Sequence, residues 1–129
     1  MKGPILADTS VWINFFKGIN SKEVSILTQY IENDDPIFLC PTIVQEILQG
    51  INNDKQFREI KEYLLAFGIL NDNGLEMAIS AAILYRSLRK KGITIRKSND
   101  CLIAQYAINH SLHVLHQDRD FDLIIENYR

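Results

Sequence analysis

The sequence predicts an α/β fold with a central, mainly parallel sheet flanked by helices. Short apolar runs that read as buried strands recur along the chain, and segments with apolar residues at helical spacing separate them. Most of the few Gly and Pro residues fall between these segments, where the chain should turn. The 129 residues fit one domain, taken as 1–129, and the 47% of hydrophobic residues supply material for its core. A charged fraction of 23% with ordinary aromatic content excludes a disordered segment.

Pro4-Ile5-Leu6-Ala7 is the first predicted strand, and the polar Asp8-Thr9-Ser10 behind it opens a helix that runs through Val11 to Phe16 and stops at Lys17-Gly18. Val24, Leu27, Tyr30 and Ile31 place a helix over Ser21 to Ile31, broken by Asn33-Asp34-Asp35-Pro36. Ile37-Phe38-Leu39 is the second strand. Pro41 suits the first turn of the next helix, whose stripe is Ile43, Val44, Ile47, Leu48 and Ile51. Phe57, Ile60, Tyr63, Leu64 and Phe67 mark another helix. Leu75, Ala78, Ile79, Ala82, Ile83 and Leu88 mark a long one closed by Gly92, and these two helices are expected to pair as a hairpin. Ser98-Asn99-Asp100 starts a helix with Ile103, Ala104, Ala107 and Ile108 inward. Leu112 to Leu115 forms a strand, and Asp118 to Asn127 a last helix.

Charge and cysteine content narrow the function. A formal charge of -2 argues against nucleic-acid binding by bulk positive charge, so any such binding must be local. The apolar runs are too short to span a bilayer and the N-terminus lacks a signal-peptide pattern, which makes a cytoplasmic location the expectation. Cys40 and Cys101 form neither a zinc pattern nor a disulfide framework and read as small core residues. His110, His113 and His116 recur every three residues, but on or beside a strand an i, i+3 pair points to opposite faces, against a zinc site. Trp12, Phe15 and Phe16 read as core at helical spacing, with base stacking or a dimer contact as the other reading.

Carboxylates carry the chemistry. Asp8 and Asp118 each follow a strand and precede a helix, so a parallel sheet would bring both to its carboxyl edge, where open α/β folds bind ligands. Helix capping explains either one alone equally simply. Asp100 lies in line with Ile103, Ala104 and Ala107 and should face inward, as a cap of its own helix or as part of a metal site. Glu46 sits beside the apolar stripe of its helix, at the boundary between buried and solvated faces. Were these acids to converge, their repulsion would either raise some of their pKa values or demand a cation, and all-oxygen ligation selects Mg²⁺ or Mn²⁺. Such an ion activates water against phosphorus and stabilises the leaving oxygen. Arg86, Arg89, Lys90, Lys91, Arg96 and Lys97 cluster before Asp100, either as RNA phosphate contacts or as favourable charge at a helix C-terminus.

Leu6-Ala7-Asp8-Thr9-Ser10-Val11-Trp12-Ile13, Glu46 in the Pro41 helix, Asn99-Asp100-Cys101-Leu102-Ile103-Ala104 and His116-Gln117-Asp118-Arg119-Asp120-Phe121 together resemble the PIN-domain ribonucleases, most closely the toxins of VapBC-type toxin-antitoxin pairs. The resemblance spans nearly the whole chain and rests on the order and spacing of the motifs. It implies a PIN-like fold and an Mg²⁺- or Mn²⁺-dependent endoribonuclease in which Asp8, Glu46, Asp100 and Asp118 are the catalytic, metal-binding acids. Ser10 would support Asp8 through its hydroxyl, with Asn14 and Asp120 as accessory positions, and either Asp118 or Asp120 would be the nearer to metal. It further implies a homodimer, a cognate VapB-type antitoxin with a tail in or near the cleft, and a structured RNA substrate such as tRNA or an rRNA loop. Two other readings are an inactive PIN-like binding module and a Mg²⁺-dependent phosphatase or receiver. The latter usually needs a lysine after a later strand, where this chain has Gln117-Asp118.

Overall fold

A computed structural model describes residues 3–129. β1 (Ile5–Ala7) has all three residues buried and lies inside a four-stranded sheet of order β3-β2-β1-β4, with β2 at Ile37–Leu39, β3 at Gly68–Ile69 and β4 at His113–Leu115. Every pairing is parallel: Ile5 stands opposite Ile37, Leu6 opposite Val114, and Leu39 opposite Ile69. Parallel neighbours need crossover connections, and the helices supply them. α1 (Thr9–Lys17) and α2 (Lys22–Glu32) lead from β1 to β2, α3 (Pro41–Gln49) and α4 (Asp54–Leu65) lead to β3, and α5 (Gly74–Lys90) and α6 (Ser98–Asn109) return the chain to β4, before α7 (Arg119–Asn127). The chain therefore adds strands on one side of β1 and then crosses to the other. The point of reversal lies between β1 and β4, and the crevice beyond their carboxyl ends is the ligand position this topology favours.

Local chemistry sets the helix ends. Ser21, Asn53 and Asn73 accept hydrogen bonds from the amides of Val24, Gln56 and Glu76 at 3.0, 2.9 and 3.0 Å, capping α2, α4 and α5. Gly18 stops α1 at φ 70°, a left-handed conformation that costs other residues energy. Pro41 opens α3, where its missing N–H would be unpaired in any case. The core joins Leu6, Val11, Trp12, Leu27, Leu39, Ile43, Leu64, Leu88, Ile103 and Phe121, each buried. Among the described residues no helix is long and apolar enough to cross a membrane.

The structure departs from the sequence reading at three places. β3 was not expected, because its two residues carry no alternation, and the expected α4–α5 hairpin gives way to it. The principal helix contacts are instead α5 with α6, α1 with α2 and with α3, α6 with α7, and α3 with α4. The apolar residues whose spacing marks α5 face largely outward: Met77, Ala81, Leu84 and Leu88 are buried, whereas Leu75, Ile79 and Ile83 are 71%, 53% and 59% exposed. Both sets have helical spacing, so periodicity alone could not choose between them. Trp12 is core, while Phe15 and Phe16 are half-buried in an aromatic cluster with Tyr63 and Phe67.

Gly68 holds the edge of the sheet together, since a Cβ there would lie 2.7 Å from the ring of Phe38 on the neighbouring strand. Gly68→Ala is expected to cost about 1–3 kcal/mol as ring or strand moves aside, whereas Gly74→Ala, which meets nothing within 4 Å, should be nearly neutral. Urea denaturation of the two variants beside wild type measures the difference.

Candidate active site

The β1–β4 register ends in a shared edge. The amide of Asp8 donates to the carbonyl of Leu115 at 2.9 Å, so the residues following the two strands leave the sheet side by side. Asp8 starts α1, yet its carboxylate makes no capping hydrogen bond. The side chain is buried and receives the Ser10 hydroxyl at 3.2 Å. Burial raises its pKa, while the nearby amide of Thr9, the Ser10 hydroxyl and the amide of Ser10 pull it back. The Ser10 hydroxyl thus contacts the Asp8 carboxylate directly.

Asp118 behaves differently. It does cap its helix, accepting from the amide of Asp120 at 3.0 Å, and that amide, helped by Arg96 and Lys97, holds its carboxyl below the ordinary value. Its own amide donates to Nδ1 of His116 at 3.2 Å, and Nε2 of His116 faces Asp122 at 3.0 Å, so the ring braces the turn that presents Asp118. For Asp118 capping and exposure to the cleft coexist.

Asp100 enters from α6, buried in line with Ile103, Ala104 and Ala107 as its spacing predicts. Its Oδ2 is buried with no hydrogen-bond partner. Burial, followed by the charge of Asp8, pushes its pKa from the ordinary 3.8 to about 7, against the pull of Lys97. A carboxylate oxygen left bare inside a protein is expensive, and a cation is the simplest compensation. The donors around it are all oxygens, which fits a hard ion such as Mg²⁺ or Mn²⁺.

Asp8, Ser10, Asp100, Gln117 and Asp118 line one open cavity of about 400 Å³ together with the cations Arg96, Lys97 and Arg119. Carboxylate oxygens of Asp100, Asp118 and Asp120 lie within 4.8 Å of one another. Glu46 is half-buried, as expected for a boundary position, but does not line this cavity. It accepts the Thr9 hydroxyl at 2.7 Å and reaches Asp8 and Asp100 as charge. Asn14 bonds Gln117 at 2.8 Å, and Gln117 in turn reaches Ser21 at 3.0 Å, so Asn14 shapes the rim. Asp120 is buried and receives the Arg96 amide and Nε, each at 3.2 Å, while Nη2 of Arg96 reaches Asp118 at 3.1 Å. Of the paired acids in the last motif, Asp118 is the one on the cavity wall.

The basic cluster divides. Lys97 and Arg96 stand at the cavity, Arg86 and Arg89 line a neighbouring cleft with Tyr85, Ser98 and Leu102, and Lys91 donates to the carbonyl of Asn127 at 2.6 Å, tying α5 to the end of α7. Thr9, His116 and Arg119 take parts that sequence reasoning did not assign. Cys40 and Cys101 are buried, and burial pushes their thiols up to about 11.

The model of the PIN domain family matches residues 5–126. Two relatives, VapC ribonuclease Mb1587 of Mycobacterium bovis and ribonuclease VapC11 of Mycobacterium tuberculosis, are each 36% identical over 122 residues, spanning 93% of this chain and 90% of theirs. The fold is similar to that of VapBC2 from Rickettsia felis, solved bound to a promoter DNA fragment, with a TM-score of 0.73 at 18% identity over 93% of this chain and 92% of that one. It is also similar to VapBC-1 from nontypeable Haemophilus influenzae, with a TM-score of 0.71 at 20% identity over 95% and 92% of the two chains.

The raised pKa of Asp100 has a stability consequence. An acid whose folded pKa lies above its unfolded value penalises the fold once ionised, so stability falls as pH rises from about 4 through about 7, and Asp8 adds in the same direction. Asp118, shifted down, acts only at more acidic pH. With EDTA present, Asp100→Asn is expected to flatten this slope and to exceed wild type at pH 8 by on the order of 2 kcal/mol, given about 1.4 kcal/mol per pKa unit and partial solvent relaxation. Denaturation at pH 5 and pH 8 measures it.

Proposed function

The chain belongs to the PIN-domain family, and from that premise we propose that it is an Mg²⁺- or Mn²⁺-dependent endoribonuclease, the toxin of a type II toxin-antitoxin pair. One observation supports this above the others: the bare, buried Oδ2 of Asp100 in a crevice shared with Asp8 and Asp118, at the strand-order reversal. Asp8 and Asp100 would hold the ion, while Asp118, paired with Arg96, lines the same cavity. When bound, it supplies a lowered pKa for water and charge stabilisation for the leaving oxygen of a phosphodiester. Ser10 orients the Asp8 carboxylate through its 3.2 Å hydrogen bond. Glu46, fixed by Thr9, adds negative charge behind the pair and favours cation retention, acting on the site partly through water. Lys97 and Arg119 stand where they can meet substrate phosphates, and Arg86 and Arg89 extend that positive edge along the neighbouring cleft. Local charge of this kind reconciles RNA binding with a net charge of -2. The RNA is proposed to be structured, a tRNA or an rRNA loop.

Cleavage of total RNA by wild type with Mg²⁺ or Mn²⁺ is the direct test. Asp8→Asn is expected to lower the rate by about 100-fold or more, and EDTA to abolish it. Equal cutting by both proteins, or no cutting with any metal, would remove the assignment.

A VapB-type antitoxin and a homodimer belong to the same reading. The apolar groove of Ile13, Phe16, Ile47, Ile51 and Ile60 suits an amphipathic antitoxin segment, and the exposed Leu75, Ile79 and Ile83 on α5 suit a symmetric contact between copies. Co-expression with the neighbouring gene product should yield a complex that no longer cuts RNA. Light scattering should show a dimer that becomes a monomer in the Ile79→Glu, Ile83→Glu double variant with its fold intact.

A further inference from the structure

The carboxylates of the cleft differ in their counter-charge, although an oxygen of Asp100 lies within 4.8 Å of oxygens of Asp118 and Asp120. On one side Asp118 and Asp120 share a cation already built into the chain: Arg96 gives its backbone amide and Nε to Oδ2 of Asp120 and Nη2 to Oδ1 of Asp118, at 3.2, 3.2 and 3.1 Å. The backbone bond matters here, because a side-chain ion pair at a mostly exposed arginine would be loosely held, whereas the amide fixes the segment that carries the guanidinium. On the other side Asp8 and Asp100 face each other's charge, both buried, and Oδ2 of Asp100 has no partner.

We propose that Arg96 is a positioning residue that takes the place of a second metal ion, so that the site binds a single divalent cation, on the Asp8–Asp100 side. This rests on the metal-dependent reading of the site. The guanidinium is planar, permanently charged and able to bridge two carboxylates at once, which a fixed counter-charge requires. A lysine keeps the charge that excludes a second cation and lacks only the fork that aligns both acids. Holding Asp120 also aligns the turn ahead of α6: Arg96 is followed by Lys97, whose carbonyl accepts the Asp100 amide at 3.0 Å. The same clamp therefore sets where Asp100 meets the cleft.

Isothermal titration with Mn²⁺, checked by electron paramagnetic resonance of free ion, counts the sites without reference to activity. Wild type is expected to bind one Mn²⁺ per chain. Arg96→Met, which frees Asp118 and Asp120 of their counter-charge, should bind a second ion, moving the stoichiometry from one towards two. Arg96→Lys should remain at one. Two ions on wild type, or one on Arg96→Met, would overturn the proposal while leaving metal-dependent cleavage standing. A wild type that binds no Mn²⁺ would overturn both. Should Arg96→Met not fold, Arg96→Gln makes the same test: a second ion is expected, and a stoichiometry that stays at one overturns the proposal.

Discussion

The hydrogen bond from the Asp8 amide to the Leu115 carbonyl is where sheet and site become one structure. It closes the β1–β4 ladder at the carboxyl edge and leaves the chain after each strand no choice but to emerge at the point where the strand order reverses. From that edge α1 and α7 start, and their first residues are Asp8's neighbours and Asp118's. Asp100 arrives separately, on the helix that packs most extensively against α5 and also contacts α7. Without the parallel pairing of β1 with β4, three acids more than a hundred residues apart at their extremes would not share a cavity.

Once gathered, the acids differ because their surroundings differ. Asp118 is satisfied by a helix N-terminus and an arginine, and its pKa falls. Asp8 and Asp100 are both buried, and burial raises them. Equivalent residue types thus acquire opposite tendencies within one cleft, and the deficit concentrates on the bare Asp100 oxygen. Glu46 contributes from outside the cavity wall, through Thr9 and through charge.

Much of this was legible in the sequence, and the failures have physical causes. Buried runs at Ile5–Ala7 and Ile37–Leu39, the Gly18 stop and the inward side of α6 follow from burial, left-handed backbone and helical period, all local properties. The PIN-like fold implied by the motifs is the fold observed and the family that matches. β3 escaped because a two-residue edge strand has no period of its own and depends on Gly68 fitting under Phe38. The buried face of α5 could not be read from spacing because both faces carry apolar residues. Asp118 could not be told from Asp120 by a spacing of two residues, since the start of α7 buries Asp120 and leaves Asp118 on the cavity wall, and Arg96, more than twenty positions earlier, bonds both. Capping and cleft exposure, set against each other for Asp118 when read from sequence, turned out to be compatible.

Crystals of the wild-type chain soaked in Mn²⁺ and measured at the manganese absorption edge give the most direct view of whether this cleft is a metal centre. An anomalous peak bonded to carboxylate oxygens of Asp8 and Asp100 is the expected result. A cleft with no peak at saturating Mn²⁺, or a peak bonded only to acids elsewhere on the surface, would contradict it.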